Sequence, residues 1–210
     1  AGMERLGERC EAAIYKKQQI GVLMYLGKHG ELLSLAASAR RVLSKAGLEE
    51  QLAELETNIG NFYSYLLGHH RRALTYYRRA SAIFERLGVE ASLARVEHNA
   101  ANALTHLDRI EEAISLYRHA IEIYGRYQMH VLKGQAGYNA AYLLFRQGRY
   151  HEALQDYYRI KSEQQQLGDV VSVAWCNMDM AEIYLRLSVY EESARLAKEA
   201  ERSFATSGNA

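Results

Sequence analysis

The stretch Asn58–Ala80, NIGNFYSYLLGHHRRALTYYRRA, carries the reading of the whole chain. Downstream of Gly68-His69-His70, Ala73, Tyr77 and Ala80 follow one another at steps of four and three, so they lie on one stripe of a helix. Upstream, Gly60 and Tyr63 are three apart and mark a second helix. The glycine at position 68 and the polar pair after it suit a tight turn, because glycine adopts left-handed backbone without a Cβ penalty. Two helices joined by so short a turn must run antiparallel.

The same columns recur on either side. The pair Ala73-Leu74 is matched by Leu32-Leu33, Ala113-Ile114, Ala153-Leu154 and Ser193-Ala194. Four residues beyond that landmark stand Ala36, Tyr77, Tyr117, Tyr157 and Ala197; seven beyond it stand Ala39, Ala80, Ala120, Ile160 and Ala200. The upstream helix repeats as Gly21, Gly60, Ala101, Ala141 and Ala181, then Met24, Tyr63, Leu104, Leu144 and Tyr184 three residues later. Turn residues separate the two helices at Gly27-Lys28-His29-Gly30, Leu107-Asp108-Arg109 and Gln147-Gly148-Arg149 as they do at Gly68. Gly47, Gly88, Gly168 and Gly208 are 41, 80 and 40 residues apart, and Gln128 fills the middle of the long interval. The period is therefore 40 with one slip. Five copies of about 9–47, 48–88, 89–128, 129–168 and 169–208 make a single domain over 9–208, preceded by residues 1–8 as a start of helix or a cloning scar at Ala1-Gly2-Met3. The core of such an array grows by stacking, with small residues letting helices approach and tyrosines and leucines filling the gaps.

The columns resemble the tetratricopeptide repeat (TPR), whose signature sets an apolar-glycine pair, an aromatic three residues on, then alanine and a further aromatic four residues later. Ile59-Gly60, Tyr63, Ala73 and Tyr77 occupy those places. The period is 40 rather than 34, and the signature's tryptophan and terminal proline are missing from every copy. That longer period is similar to the long-helix subclass found in kinesin light chains, spindle adaptors and bacterial pheromone-receptor regulators. The resemblance implies an all-α, right-handed superhelical solenoid of about five antiparallel helix-turn-helix repeats, with the first helix of each lining a concave face and the second a convex one.

Composition is consistent with this and excludes several classes. Of 210 residues 49% are hydrophobic and 24% charged, and there is no proline, the residue that breaks helices. Lys+Arg 26 against Asp+Glu 25 leaves a net charge of +1, so no overall field draws in a phosphate backbone. The longest apolar run, Ala140–Phe145, is far short of a membrane span of about 20 residues. Cys10 and Cys176 form neither a disulfide framework nor a metal motif, which favours a reducing, cytoplasmic setting. His98 and His106 lie two helical turns apart without further ligands spaced to join them, Cys176 beside Trp175 reads as an inert buried thiol, and phosphate-cradling loops and nucleophile elbows are absent. No enzyme, cofactor or metal is expected.

Candidate binding residues come from the first helices. The column before the small residue reads Gln19, Asn58, Asn99, Asn139 and Asp179, and the next polar column reads Val22, Asn61, Asn102, Tyr142 and Glu182. Asparagine is a mediocre helix former, so its recurrence needs a cause. A side-chain amide offers a donor and an acceptor together and suits the main chain of an extended peptide; the alternative is that the amides bond to neighbouring helices. One turn earlier stand Tyr15, Glu54, Arg95, Gln135 and Trp175, and Tyr138, Tyr142, Phe145 and Met178 gather aromatic and apolar surface in the last two copies, fit for an anchor side chain. Asn58, Asn61, Arg95, Asn99, Asn102, Tyr138, Asn139, Tyr142, Trp175 and Asp179 are thus the expected peptide-binding residues.

His69-His70-Arg71-Arg72 and Tyr76-Tyr77-Arg78-Arg79 form one basic patch in a single copy, while Glu111-Glu112 and Glu191-Glu192 stand at equivalent places elsewhere. A solvated face or an acidic partner fits it better than nucleic acid. The expected function is a protein-interaction scaffold binding a peptide or partner segment in its groove, as the sensing or regulatory part of a larger signalling protein. The competing reading is a structural spacer or self-association arm acting through its ends. Leu196, Ala197, Ala200 and Phe204 form a stripe on the last helix that a further copy or a partner would be expected to cover.

Overall fold

The computed structural model describes residues 28–208 together with Glu11, Ala12, Tyr15, Gln19, Ile20, Val22, Leu23 and Leu26. Ala1-Gly2-Met3, Cys10, Gly21, Met24 and Gly27 lie outside the described residues. Nine α-helices and no strand are found among those described. They are α1 (His29–Lys45), α2 (Glu49–Asn61), α3 (His70–Leu87), α4 (Glu90–His106), α5 (Ile110–Arg126), α6 (His130–Arg146), α7 (Tyr150–Gln166), α8 (Val170–Arg186) and α9 (Tyr190–Ser207). The chain forms two compact units, residues 1–109 and 110–210. Within each, successive helices pack on one another, and in the second α6 also touches α8. No described helix is long and apolar enough to cross a membrane.

Burial follows the repeat. The stripe Ala73, Leu74, Tyr77, Ala80 and Phe84 is the buried side of α3, and α5 buries Ala113, Ile114, Tyr117, Ala120, Ile123 and Tyr124 in the same register. The first helices are covered over a wider arc: α4 buries eight of its side chains and α8 another eight, from Val173 to Ile183. A helix flanked by neighbours on both sides has little polar face left. In the last helix the stripe is already occupied. Leu196 and Ala200 are buried, Phe204 meets the Trp175 ring of α8, and only Ala197 is exposed. The stripe that a further copy or a partner is expected to cover is thus, apart from Ala197, already covered within this chain.

The turns are alike. Eight of the nine helices stop on a residue with positive φ, namely Gly47, Gly88, Gly148, Gly168 and Gly208, and also Asp108, Gln128 and Ser188, and the π-turn Phe62–Leu66 that continues α2 stops on Gly68 at φ +63. At seven of these eight helix ends the amide after the positive-φ residue reaches back five residues, as in Val89 N to Phe84 O at 3.0 Å and Met129 N to Tyr124 O at 2.9 Å, which satisfies a carbonyl left open by the helix end. Gln128 holds φ +54 in the place glycine takes elsewhere. Helix starts are largely without side-chain caps, but Asp169 caps α8, accepting from Ser172 N at 3.0 Å and Ser172 Oγ at 2.7 Å. Asp169→Ala is expected to cost about 1 kcal/mol, read from urea unfolding. An unchanged midpoint would mean that the first turn of α8 is held by packing alone.

The slip in the period has a structural counterpart. From the small residue of the first helix to the landmark of the second there are 13 residues in Gly60–Ala73, but 12 in Ala101–Ala113, Ala141–Ala153 and Ala181–Ser193. Between Gly60 and Ala73 lies a π-helical turn, Phe62–Leu66, which continues α2. A π-turn holds one residue more than an α-turn, and His69 N closes it on Tyr63 O at 2.7 Å.

Candidate functional site

In the first compact unit, the amides of the first helices bond to each other. Asn61 Oδ1 accepts from the hydroxyl of Tyr77 at 2.9 Å and from Asn99 Nδ2 at 3.0 Å. Tyr65 donates its hydroxyl to Asn99 Oδ1 and accepts from Asn102 Nδ2, both at 3.2 Å. Five side chains from α2, α3, α4 and the π-turn thus form one chain of hydrogen bonds. Tyr65 falls outside the regular columns because it sits in the π-turn, and it is 55% exposed. Asn58 is half-buried on α2 one turn before Asn61, and Arg95 is exposed on α4 one turn before Asn99. In the column of the first copy Tyr15, Gln19 and Val22 are exposed.

In the second unit, Asp179 lies inside rather than on the open face expected for it. It is 5% exposed and accepts the Tyr157 hydroxyl at 2.7 Å and that of Tyr138 as well. The two rings meet edge-to-face at 5.8 Å. Burial raises the Asp179 carboxyl above its usual range, against the pull of the two hydroxyls. Burial, then the neighbouring carboxylate, pushes both tyrosines far above the ordinary phenol range. The Cys176 thiol, enclosed beside them, is pushed up to about 12 by burial and by Asp179, and so stays protonated and inert.

Two large side chains of the expected set, Trp175 and Tyr142, remain at the surface of this unit together with Met178. Trp175 is 45% exposed, Met178 and Tyr142 41% each. Trp175 sets an edge against Phe204 at 5.2 Å and Tyr142 against Phe145 at 6.2 Å. Asn139 is half-buried on α6 and Gln135 exposed. The structure therefore joins Asn61, Asn99 and Asn102 in one network and Tyr138 and Asp179 in another, with Tyr142 and Trp175 resting on other rings.

Among the described residues no group of three or more His, Cys, Asp or Glu side chains is placed to hold an ion. His106 stacks on His70 at 4.3 Å and 7°, and His70 Nδ1 lies 3.1 Å from Ser64 Oγ. Burial lowers the affinity of His98 and His70 for a proton, the latter also through His106 and His69. A lowered histidine gives stability that is fully present above the unfolded value, about 6.5, and is lost as pH falls through the folded value. The melting midpoint is therefore expected to drop between pH 7.5 and pH 5.5, and to drop less in His98→Gln. Parallel profiles for the two proteins would remove His98 from this account.

Comparison with known proteins places the fold. The family model described as soluble NSF attachment protein, SNAP, matches residues 70–169. No curated protein matches. Among solved structures, a putative kinesin light chain from Podospora anserina with nearly identical TPR-like repeats is similar at a TM-score of 0.76 and 15% identity, over 93% of this chain and 96% of that one. A Rap protein complexed with competence and sporulation factor is similar at 0.68 and 16%, over 94% and 64%. The signal transduction ATPase with a tetratricopeptide repeat sensor from Pyrococcus horikoshii is similar at 0.73 and 16%, over 89% and 29%. The chain has the TPR-like all-α helical-repeat fold.

Proposed function

We propose that this chain is a non-catalytic protein-interaction scaffold that takes an extended peptide along the exposed faces of its first helices, as the regulatory part of a larger signalling protein. The observation that carries the reading is the half-exposed trio of Trp175, Met178 and Tyr142. Large aromatic and apolar side chains held at a helix surface suit an anchor residue of a partner. The network of Asn61, Tyr65, Asn99 and Asn102 adds preformed polar groups whose rotamers are already fixed, which lowers the ordering cost of binding. In the first unit Asn58 and Arg95 belong with that network in the proposed contacts, and in the second unit Asn139 belongs with the trio. The complex of a Rap protein with competence and sporulation factor supports the reading by likeness of fold.

Trp175 is the only tryptophan and so reports on its own surroundings. Peptides selected from a random display library against the whole chain are expected to carry an apolar anchor and shift the Trp175 emission. Met178→Ala and Tyr142→Ala should weaken their binding by about tenfold, roughly 1.4 kcal/mol. Selected peptides that bind without touching the emission, and equally well to both variants, would place the interaction elsewhere.

A second reading, self-association, is favoured by apolar side chains around the α8–α9 turn: Leu185, Leu187, Val189 and Tyr190 are 44% to 64% exposed. Sedimentation velocity tests it. A dimer at micromolar concentration that is lost in Tyr190→Glu would support it, and a monomer throughout would end it.

A further inference from the structure

Among the described helices α3 carries the largest net positive charge. The carboxylate on α3 is Glu85 alone, against Arg71, Arg72, Arg78, Arg79 and Arg86. Arg86 is paired with Glu49 at 2.8 Å. Arg40 of α1 holds the buried Glu56 through two bonds, of 2.5 and 3.0 Å, and Arg79 lies 3.7 Å from the same carboxylate. Arg41, Arg71 and Arg78 are exposed and have no carboxylate partner among the described residues.

The aromatic rings between these guanidiniums are already covered. Tyr76 stacks on Tyr63 at 5.3 Å and 12°, and the guanidiniums of Arg40 and Arg79 sit over it at 5.6 and 5.5 Å. Tyr63 in turn stacks on His69 at 6.3 Å and carries Arg72 at 5.5 Å. Stacking on bare aromatic faces is the main sequence-tolerant grip of proteins on single-stranded nucleic acid, and here those faces are taken. What the surface still offers is charge at fixed spacing: Arg71 and Arg78 are two helical turns apart, about 10 Å. Glu56 displays the chemistry this patch accepts, a carboxylate held between two arginines.

We infer that the exposed face of α3 centred on Arg71 and Arg78 is a docking surface for an acidic, Asp/Glu-rich segment of a partner protein. It is separate from the first-helix faces and does not depend on a peptide being bound there. The cation–π contacts of Arg72 and Arg79 hold the surface in shape, and the unpaired arginines supply steering and selection by sign.

The test uses the full chain and fluorescence anisotropy with three labelled probes: a Glu-rich peptide, a Lys-rich peptide of equal length, and a single-stranded RNA of equal charge to the first. Binding of the Glu-rich peptide, weakened by salt, absent for the Lys-rich one and stronger than for RNA, is expected. The pair Arg71→Glu and Arg78→Glu should weaken it by about tenfold or more with the circular dichroism unchanged. Should that variant fold poorly, Arg71→Gln with Arg78→Gln, which removes the charge without reversing it, is expected to weaken the same probe severalfold. Equal affinity of variant and parent for the Glu-rich peptide, no binding of it, or RNA bound as tightly or more so, overturns the proposal.

Discussion

Asp179→Ala is expected to lower the unfolding free energy by about 3 kcal/mol. The carboxylate is the acceptor for the hydroxyl of Tyr157, a ring that is 0% exposed and has no route to water, and for that of the half-buried Tyr138. A buried hydroxyl deprived of its acceptor loses about 1–3 kcal/mol, and the space left by the side chain adds to this. Asp179→Asn keeps an oxygen in place and should cost about 1 kcal/mol. In a double-mutant cycle with Tyr157→Phe, the two changes should cost less together than apart by about 1 kcal/mol or more. Strict additivity would mean that the bond contributes nothing. The pH dependence has a definite sign. Because burial raises this carboxyl above its ordinary 3.8, its favourable contribution is complete below that value and is lost as pH rises through the folded one. Asp179→Asn should remove that component.

Gly60→Ala and Gly125→Ala are expected to act in opposite directions. A Cβ at position 60 would stand 2.5 Å from Cε1 and 2.7 Å from Cδ1 of Tyr77. That ring is 0% exposed and its hydroxyl is bound to Asn61, so it cannot withdraw without breaking the amide network. Overpacking of this kind costs about 2–3 kcal/mol even after the better helix propensity of alanine is counted. A Cβ at Gly125 meets nothing within 4 Å and the residue is exposed on α5, so the same substitution there should stabilise by about 1 kcal/mol. Thermal unfolding of the two variants decides the matter. Stabilisation by both would show that α2 and α3 do not approach at Gly60.

Helix positions, turn positions and the buried stripes were legible in the sequence because each depends on neighbours along one helix. Ala73, Tyr77 and Ala80, or Gln128 in a glycine's place, declare themselves by spacing. The site was less so. Asn61 and Asn99 occupy different columns of different repeats, and their bond depends on how α2 and α4 approach, which no single-helix pattern encodes. Asp179 stood in a polar column and was expected on the open face; Tyr138 and Tyr157, on two other helices, draw it inside. Tyr65 escaped notice because the π-turn takes it out of phase with every other copy.

That π-turn bears on how such a chain tolerates changes in its own length. One residue added to a regular helix turns everything beyond it by about 100°, enough to swing an apolar stripe out to water. Here the addition is absorbed within Phe62–Leu66, and Ala73, Tyr77 and Ala80 remain as buried as Ala113, Tyr117 and Ala120. An insertion is thus confined to the turn in which it occurs. Copies of unequal length can then diverge by gain of a residue while their neighbours keep their sequences, and an exact-period search would see a break where the packing has none.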